Sequence, residues 1–391
     1  MSDVLIVGAS AGGLAVAEAL RRKGHQGGIT LLGAEPHPPY DRPPLSKQIL
    51  AGAWERERAH LRPESELAKL DAAFVLGDAA VRLDTAAREV VTASGRAFRA
   101  QAVVLATGLT AARLPGQDGL AGVHVLRTLD DALALRAALL AGPRLVVVGE
   151  GVLGAEVAAT ARGMGLDVTL AGMGPAVMAA QLGDPVSTLL TRLHAERGVR
   201  LRLGVAVAEL TGSGGHVTGV RLTSGELLPA DTVVVATGSR PATGWLEGSG
   251  LTVGDGVECD SRCRAADGVY AVGDLASWHH ETLGRRLRLE NRTNAVDQAQ
   301  IVAANILGDD RPYIPVPYFW TDQYDVKIQA HGLPHPDADV EVIEGDPEQN
   351  RFVALYRRSG AVTGVLGWNM AKAARLHRQR VAEAMQARPV P

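Results

Sequence analysis

The chain has 391 residues, 46% of them hydrophobic and 21% charged, with a formal net charge of -3. That length holds two or three domains, and the composition is that of a globular protein, which excludes a disordered chain. The small negative charge excludes a global electrostatic bias toward nucleic acid, and with only 4% aromatics, Ala, Val and Leu must fill most of the core.

The opening "MSDVLIVGAS" enters a strand within a few residues, with no charged region followed by an apolar stretch, so no secretory signal is expected. "VLIVGASAGG" (4–13) reads as a buried strand running into glycines, and "LAVAEALRRKG" (14–24) has helical spacing with a glycine stop. The turn is Gly8-x-Ser10-x-x-Gly13 and contains Ala11 and Gly12. Its small residues let a pyrophosphate approach the N–H groups at a helix N-terminus. "ITLLGAEP" (29–36) follows and places Glu35 where a dinucleotide-binding unit keeps a carboxylate for the adenosine ribose.

"AVVLATGLTAARLPG" (102–116) is a buried strand, then Ala-Thr-Gly, then a turn of small residues. The most apolar run, "ALALRAALLAGPRLVVV", is broken by Arg136 and Arg144 and cannot span a bilayer, so a cytoplasmic location is expected. "RLVVVGEGVLGAEVAATARGMG" (144–165) repeats the first plan with Gly149-x-Gly151-x-x-Gly154. "VTLAGMGP" (168–175) then matches "ITLLGAEP" position for position, with Gly174 in place of Glu35. "TVVVATGSRPATGW" (232–245) matches the earlier exit strand, and "GVYAVGDLA" (268–276) ends a further strand at Gly273-Asp274. The first unit is therefore interrupted by the second and completed after it. Cys259 and Cys263 form no Cys-x-x-Cys pair and read as ordinary buried thiols. His279, His280 and Glu281 are adjacent, so their side chains diverge along a strand and no metal is expected.

The order of two glycine turns, two Ala-Thr-Gly segments and Gly-Asp resembles the two-dinucleotide-domain flavoproteins of the glutathione-reductase type. Within them, "PYDRPPLSK" (39–47), "LRTLDDA" (126–132), "RLEN" (288–291) and "PYFWTDQYDVKIQ" (317–329) resemble the ferredoxin reductases that serve oxygenases and cytochromes P450. The resemblance covers essentially the whole chain. It implies an α/β fold with two Rossmann-like domains, one inserted in the other, and a small α+β C-terminal domain. The expected divisions are an FAD domain of residues 1–111 and 242–313, an NAD(P)H domain of 112–241, and a C-terminal domain of 314–391.

The resemblance also implies site residues. Gly8, Ser10, Ala11, Gly12 and Gly13 would hold the FAD pyrophosphate and Glu35 its adenosine ribose, with the backbone at Ala80 on the adenine. Arg42, Lys47, Thr107, Gly108, Arg127, Gly273, Glu290, Asn291 and Arg292 would lie along the cofactor, and Asp274 on its ribityl chain. A helix beginning near Asn294 would point its positive end at the flavin pyrimidine. Trp320 would close one side of the flavin. Five of the fifteen aromatics fall in 313–324 (Tyr313, Tyr318, Phe319, Trp320 and Tyr324), which reads as a ligand wall. Gly149, Gly151, Val152, Leu153, Gly154, Gly172, Thr237 and Gly238 would line the NADH or NADPH site. Lys47 and Glu156, the latter placed on the first turn of the second unit's helix, would be the catalytic pair.

The expected activity is hydride transfer from NAD(P)H to FAD, then single-electron transfer to a ferredoxin that supplies a cytochrome P450 or other oxygenase. The alternatives are an NADH oxidase or rubredoxin-reductase-type flavoenzyme and an apoptosis-inducing-factor-like flavoprotein. The chain is expected to act as a monomer or weak dimer with no nucleic-acid or membrane partner. Arg285, Arg286, Arg292 and the run Lys372, Arg375, Arg378 and Arg380 are candidate cations for an acidic ferredoxin. Neither Gly172 nor Gly174 carries an acid, and no Arg or Lys lies between Arg162 and Arg192. Discrimination between NADH and NADPH is therefore expected to be under about thirtyfold, with NADH slightly favoured.

Overall fold

The computed structural model describes residues 3–142 and 144–387. The chain enters on β1 (Val4–Val7), turns into helix α1 (Ala11–Arg22), returns on β2 (Ile29–Gly33), and continues through β3 (Ala73–Leu76) and β4 (Ala102–Leu105). It then forms β5 (Val123–His124), helix α2 (Leu129–Ala141), β6 (Arg144–Val148), helix α3 (Val152–Gly163), β7 (Asp167–Ala171), β8 (Arg200–Arg202) and β9 (Thr232–Val235). After these come β10 (Arg264–Ala266), β11 (Val269–Ala271) and helix α4 (Arg292–Ile306). The last part is β12 (Tyr318–Gln323), β13 (Val326–Gly332), β14 (Asp339–Asp346), β15 (Arg351–Arg358), β16 (Ala361–Trp368) and helix α5 (Ala371–Gln386).

Two sheets carry the nucleotide-unit plan. One has the order β10-β11-β4-β1-β2-β3, the other β8-β7-β6-β9-β5. Both are parallel except where β10 meets β11. Strands covered on both faces must be apolar throughout, and all four residues of β1, β4 and β9 are buried. Each unit inserts a three-stranded antiparallel meander before its last central strand, spanning residues 80–99 in the first and 207–229 in the second. β11 joins the first sheet after the whole second unit has passed, so the insertion read from the sequence is the topology found. Residues 109–111 pair antiparallel with 239–241, which binds the exits of the two units together.

The turn after β1 shows why glycine is required there. Gly8 has φ +122°, and a Cβ on it would stand 2.2 Å from the Ala106 carbonyl oxygen. Gly149 repeats this at φ +115°, with its Cβ 2.2 Å from the Ala236 oxygen. A side chain at either position meets both backbone strain and a clash. Helix α1 begins at Ala11, three residues before the start read from the apolar spacing. Ser10 is extended and serves as N-cap, and Gly13 must already be helical to pass against the Gly8 carbonyl.

The C-terminal sheet, order β12-β13-β16-β15-β14, is antiparallel, with α5 packed on β13 and β16. Phe352 and Trp368 stack in its core with ring centroids 5.6 Å apart. Among the described residues no helix is long and apolar enough to cross a membrane.

Candidate active site

Both glycine turns open into one cavity of about 1350 Å³, which is more than a single small-molecule site usually needs. Its wall includes every residue expected at the cofactor and coenzyme except Gly13 and Gly154. Those two lie behind the turns, where a Cβ would stand 1.9 Å from the Gly8 oxygen and 1.8 Å from the Gly149 oxygen. They bring helix and strand together without facing the cavity.

Glu35 sits at the end of β2 and is held on both oxygens. Arg42 donates to its Oε1 at 2.9 Å and Tyr40 to its Oε2 at 2.5 Å. Arg42 also donates to the Arg127 carbonyl at 2.6 Å, and Tyr40 accepts from the Leu129 N–H at 3.0 Å. Tyr40, quoted within "PYDRPPLSK" but given no role in the sequence reading, thus links β2 to the start of α2. Thr107 donates to the Ala242 carbonyl at 3.0 Å.

Asp274 lies 3.3 Å from the Arg127 guanidinium. Burial pushes its carboxyl up, with Arg127 opposing that shift. Arg127 Nε is buried with no protein partner. A buried donor left unsatisfied is costly, and at a cavity wall it suits an anionic or carbonyl oxygen of a bound group. Ser10 gives α1 no side-chain cap, so the first N–H groups of the helix are free toward the same space. These features fit a dinucleotide's pyrophosphate in the first unit.

Lys47 and Glu156 form an ion pair with Nζ and Oε2 2.6 Å apart, both nearly buried. Ser46 donates to the same oxygen at 2.6 Å, and Thr321 donates to Oε1 at 2.7 Å. One carboxylate therefore ties the loop after β2, helix α3 and strand β12 together. Neither Ser46 nor Thr321 was singled out by motif, because their partner is 110 and 165 residues away. Glu156 is the fifth residue of α3, beyond the first turn where the sequence reading put it. The helix begins at Val152 because extended Gly151 is its N-cap.

Helix α4 begins at Arg292, near Asn294 as expected, and the Asn291 side chain caps it by accepting from the Asn294 N–H at 2.8 Å. Further expectations are corrected. The aromatic run does not form one wall. Tyr318, Phe319 and Trp320 line the cavity, but Tyr313 packs on Trp278 in the first unit's core and Tyr324 packs edge-on against His194. The segment between Tyr313 and Tyr318 crosses from one domain to another, so closeness in sequence did not become closeness in space. Arg292 is paired with Asp41 at 2.9 Å, and Arg286 is held by Glu258 and the carbonyls of Cys259 and Ser277. Neither is a free cation. Arg285, Lys372, Arg375, Arg378 and Arg380 are exposed and have no acidic partner among the described residues.

The largest correction concerns the second unit. Strand β7 ends without an acid, as read, but the carboxylate of Glu150 lies against that strand end. Its Oε1 accepts from the Gly174 N–H at 2.9 Å. Glu150 is the variable residue inside Gly149-x-Gly151, a position at which the fingerprint specifies nothing.

A family model described as pyridine nucleotide-disulphide oxidoreductase matches residues 2–299, and one described as reductase C-terminal matches 318–390. The chain is 40% identical to the ferredoxin–NAD(P)(+) reductase of a Sphingomonas species over 92% of this chain and 88% of that one. Its fold matches the ferredoxin reductase for the CYP199A2 system from Rhodopseudomonas palustris at a TM-score of 0.92 and 36% identity, covering 96% of this chain and 93% of that one. It also matches putidaredoxin reductase, solved in covalent complex with putidaredoxin, at a TM-score of 0.92 and 33% identity, covering 98% and 93%. With two glycine turns facing one cavity and a reductase module behind them, the chain belongs to the pyridine nucleotide-disulphide oxidoreductase family and is one of its FAD-dependent enzymes, using NADH or NADPH.

Proposed function

We propose that this protein is a ferredoxin reductase, taking hydride from NAD(P)H and passing electrons singly to a ferredoxin that supplies a cytochrome P450 or another oxygenase. The observation that carries the reading is that both helix N-termini, of α1 and α3, open into one cavity while both cysteines lie elsewhere, buried in the first unit's core. A disulfide reductase needs a thiol pair beside the flavin. Here burial pushes the Cys263 thiol up to about 12 and that of Cys259 well above its ordinary value, so neither is poised as a thiolate.

Bound FAD supplies a two-electron store that accepts hydride and releases electrons one at a time. In this reading the N–H groups after Ser10 hold its pyrophosphate. Glu35, fixed by Arg42 and Tyr40, accepts from the adenosine ribose, and Asp274 accepts from the ribityl chain with Arg127 beside it. Trp320 and Tyr318 exclude water from one side. Lys47 and Glu156 stand where the two units meet, so opening their pair admits the nicotinamide and closing it shields the charge that develops on reduction. Ser46 and Thr321 hold the carboxylate while Lys47 moves. Val152, Leu153 and Thr237 line the coenzyme's path.

The domain divisions proposed are 1–111 with 242–313, 112–241, and 314–391, which keep the two parallel sheets and the C-terminal sheet each in one piece and divide only the two-stranded pairing of 109–111 with 239–241. The exposed cations of α5 are proposed to meet the acidic ferredoxin. Dependence on NAD(P)H and reduced cysteines suits a cytoplasmic enzyme, and a cavity walled by one chain suits a monomer or weak dimer. The test is direct. The purified protein should carry non-covalent FAD, reduce ferricyanide with NADH or NADPH, and reduce cytochrome c only when a [2Fe–2S] ferredoxin is added. Recovery of FMN, or cytochrome c reduction indifferent to every ferredoxin offered, would sink the reading.

A further inference from the structure

In both nucleotide units the second residue of the glycine turn faces the end of the second strand. In the first unit a Cβ on Gly33 would stand 3.1 Å from the Ala9 Cβ. In the second, a Cβ on Gly172 would stand 1.8 Å from Glu150 Oε2, and one on Gly174 would stand 2.5 Å from Glu150 Oε1. Ala9 matches Glu150 and Glu35 matches Gly174 in the repeat. The acid and the small residue have exchanged sides of the same gap. The strand end lacks an acid because an acid from the loop already fills its place, and the two glycines are the space that receives it.

The Glu150 carboxylate is fixed and half available. Oε1 accepts from the Gly174 N–H at 2.9 Å, while Oε2 has no hydrogen-bond partner among the described residues, and Glu150 lines the cavity. Apart from Arg127, which faces Asp274 at 3.3 Å, no Lys or Arg of residues 112–241 lines that cavity among the described residues. Arg200 and Arg202, on the neighbouring strand β8, are tied to Asp167 and Glu226; Arg202 Nε lies 2.9 Å from both oxygens of Glu226. A 2′-phosphate brought here would meet the fixed negative charge of Glu150 and no unpaired positive one on β7 or β8.

We infer that Glu150 is the residue that selects the coenzyme: its carboxylate accepts from the ribose hydroxyls of the adenosine half and rejects a 2′-phosphate, making the enzyme NADH-selective. This rests on the reading of the second unit as the NAD(P)H site, and it replaces the weak discrimination expected from the strand alone. The physical reason is that a ribose-hydroxyl acceptor need not come from the strand that usually carries it, only reach the same point.

The test uses flavin-loaded protein and two probes, ADP-ribose and ADP-ribose 2′-phosphate, with dissociation constants measured by calorimetry. The wild type should bind ADP-ribose more than thirtyfold tighter. Glu150→Gln retains an acceptor for the Gly174 N–H but loses the charge, and should lower that ratio at least fivefold, mainly by tighter binding of the phosphorylated probe. The exchange variant Glu150→Ala with Gly174→Glu, which copies the Ala9 and Glu35 arrangement, should restore the ratio above thirty. The flavin absorbance of each variant confirms that it is folded. A wild-type ratio below thirty, a smaller response to Glu150→Gln, or no recovery in the exchange variant overturns the assignment. Protein that keeps its flavin but binds neither probe overturns the reading of the second unit as well.

Discussion

The two nucleotide units share one backbone plan yet grip differently. The first surrounds its half of the cavity with side chains already fixed in pairs: Glu35 with Arg42 and Tyr40, Asp274 with Arg127, and Arg292 with Asp41. The second presents Gly149, Gly151, Gly172, Val152 and Leu153 with two anchored acids, Glu150 and, at the junction with the first unit, Glu156. Prepositioned charges lower the ordering cost of binding and lengthen residence. A sparse wall holds its ligand for a shorter time. On the proposed assignment of FAD to the first unit and NAD(P)H to the second, the contrast is that between a cofactor kept through every turnover and a coenzyme that must leave after each one, and it arises from side chains on a shared strand–turn–helix plan.

The sharpest way to break this comparison is to damage both units identically. Gly13→Ala and Gly154→Ala each drive a Cβ to under 2 Å from a turn carbonyl. Gly13→Ala should yield protein without flavin, largely insoluble. Gly154→Ala should stay yellow, with kcat/KM for NADH down at least about a hundredfold, or about 2.7 kcal/mol. Flavin absorbance after gel filtration and steady-state kinetics read the two effects. Flavin loss from Gly154→Ala would show that the units fold as one cooperative block.

Next in size is the pair that joins the units. Lys47→Met leaves the Glu156 charge buried with only Ser46 and Thr321, which should cost about 3 kcal/mol in urea unfolding. Adding Glu156→Gln removes the stranded charge and should recover at least half of that loss. Flavin reduction by NADH in stopped flow should slow about tenfold in Lys47→Met, while reoxidation by ferricyanide stays near wild type. A double variant less stable than the single one would show that the pair does not link the units.

A smaller effect is expected outside both units, on α5. Arg375→Glu with Arg378→Glu should lower ferredoxin-dependent turnover about tenfold, and raising ionic strength should do the same to the wild type. Ferricyanide reduction should change in neither case. Equal sensitivity of both assays would move the docking face elsewhere.

The smallest effect concerns a feature of the first unit alone. Cys259 and Cys263 fill its core, and Gln298 donates to Cys263 Sγ at 3.2 Å. Replacing both by Ser should leave ferricyanide turnover within about threefold, or roughly 0.6 kcal/mol of barrier. A hundredfold loss would bring a thiol into the chemistry and make the first unit catalytic in a way the second is not.

What the sequence by itself determined were the features with local causes. The turns at Gly8 and Gly149 need positive φ and room for a passing carbonyl, so glycine had to appear there, after strands that are apolar because both faces are covered. The repeat of that pattern made the insertion of one unit in the other legible. The Lys47 and Glu156 candidates were legible only through the longer motifs that carry the family resemblance. Only the tertiary structure decided which groups meet. Ser46 and Thr321 reach Glu156 from distant segments, Arg286 and Arg292 are consumed by partners, the aromatic run divides between two cores and a cavity wall, and the acid missing from β7 arrives from the loop before α3. A turn's geometry depends on its own few residues, whereas a charge is satisfied by whatever the fold brings within about 3 Å, and spacing along the chain does not record that distance.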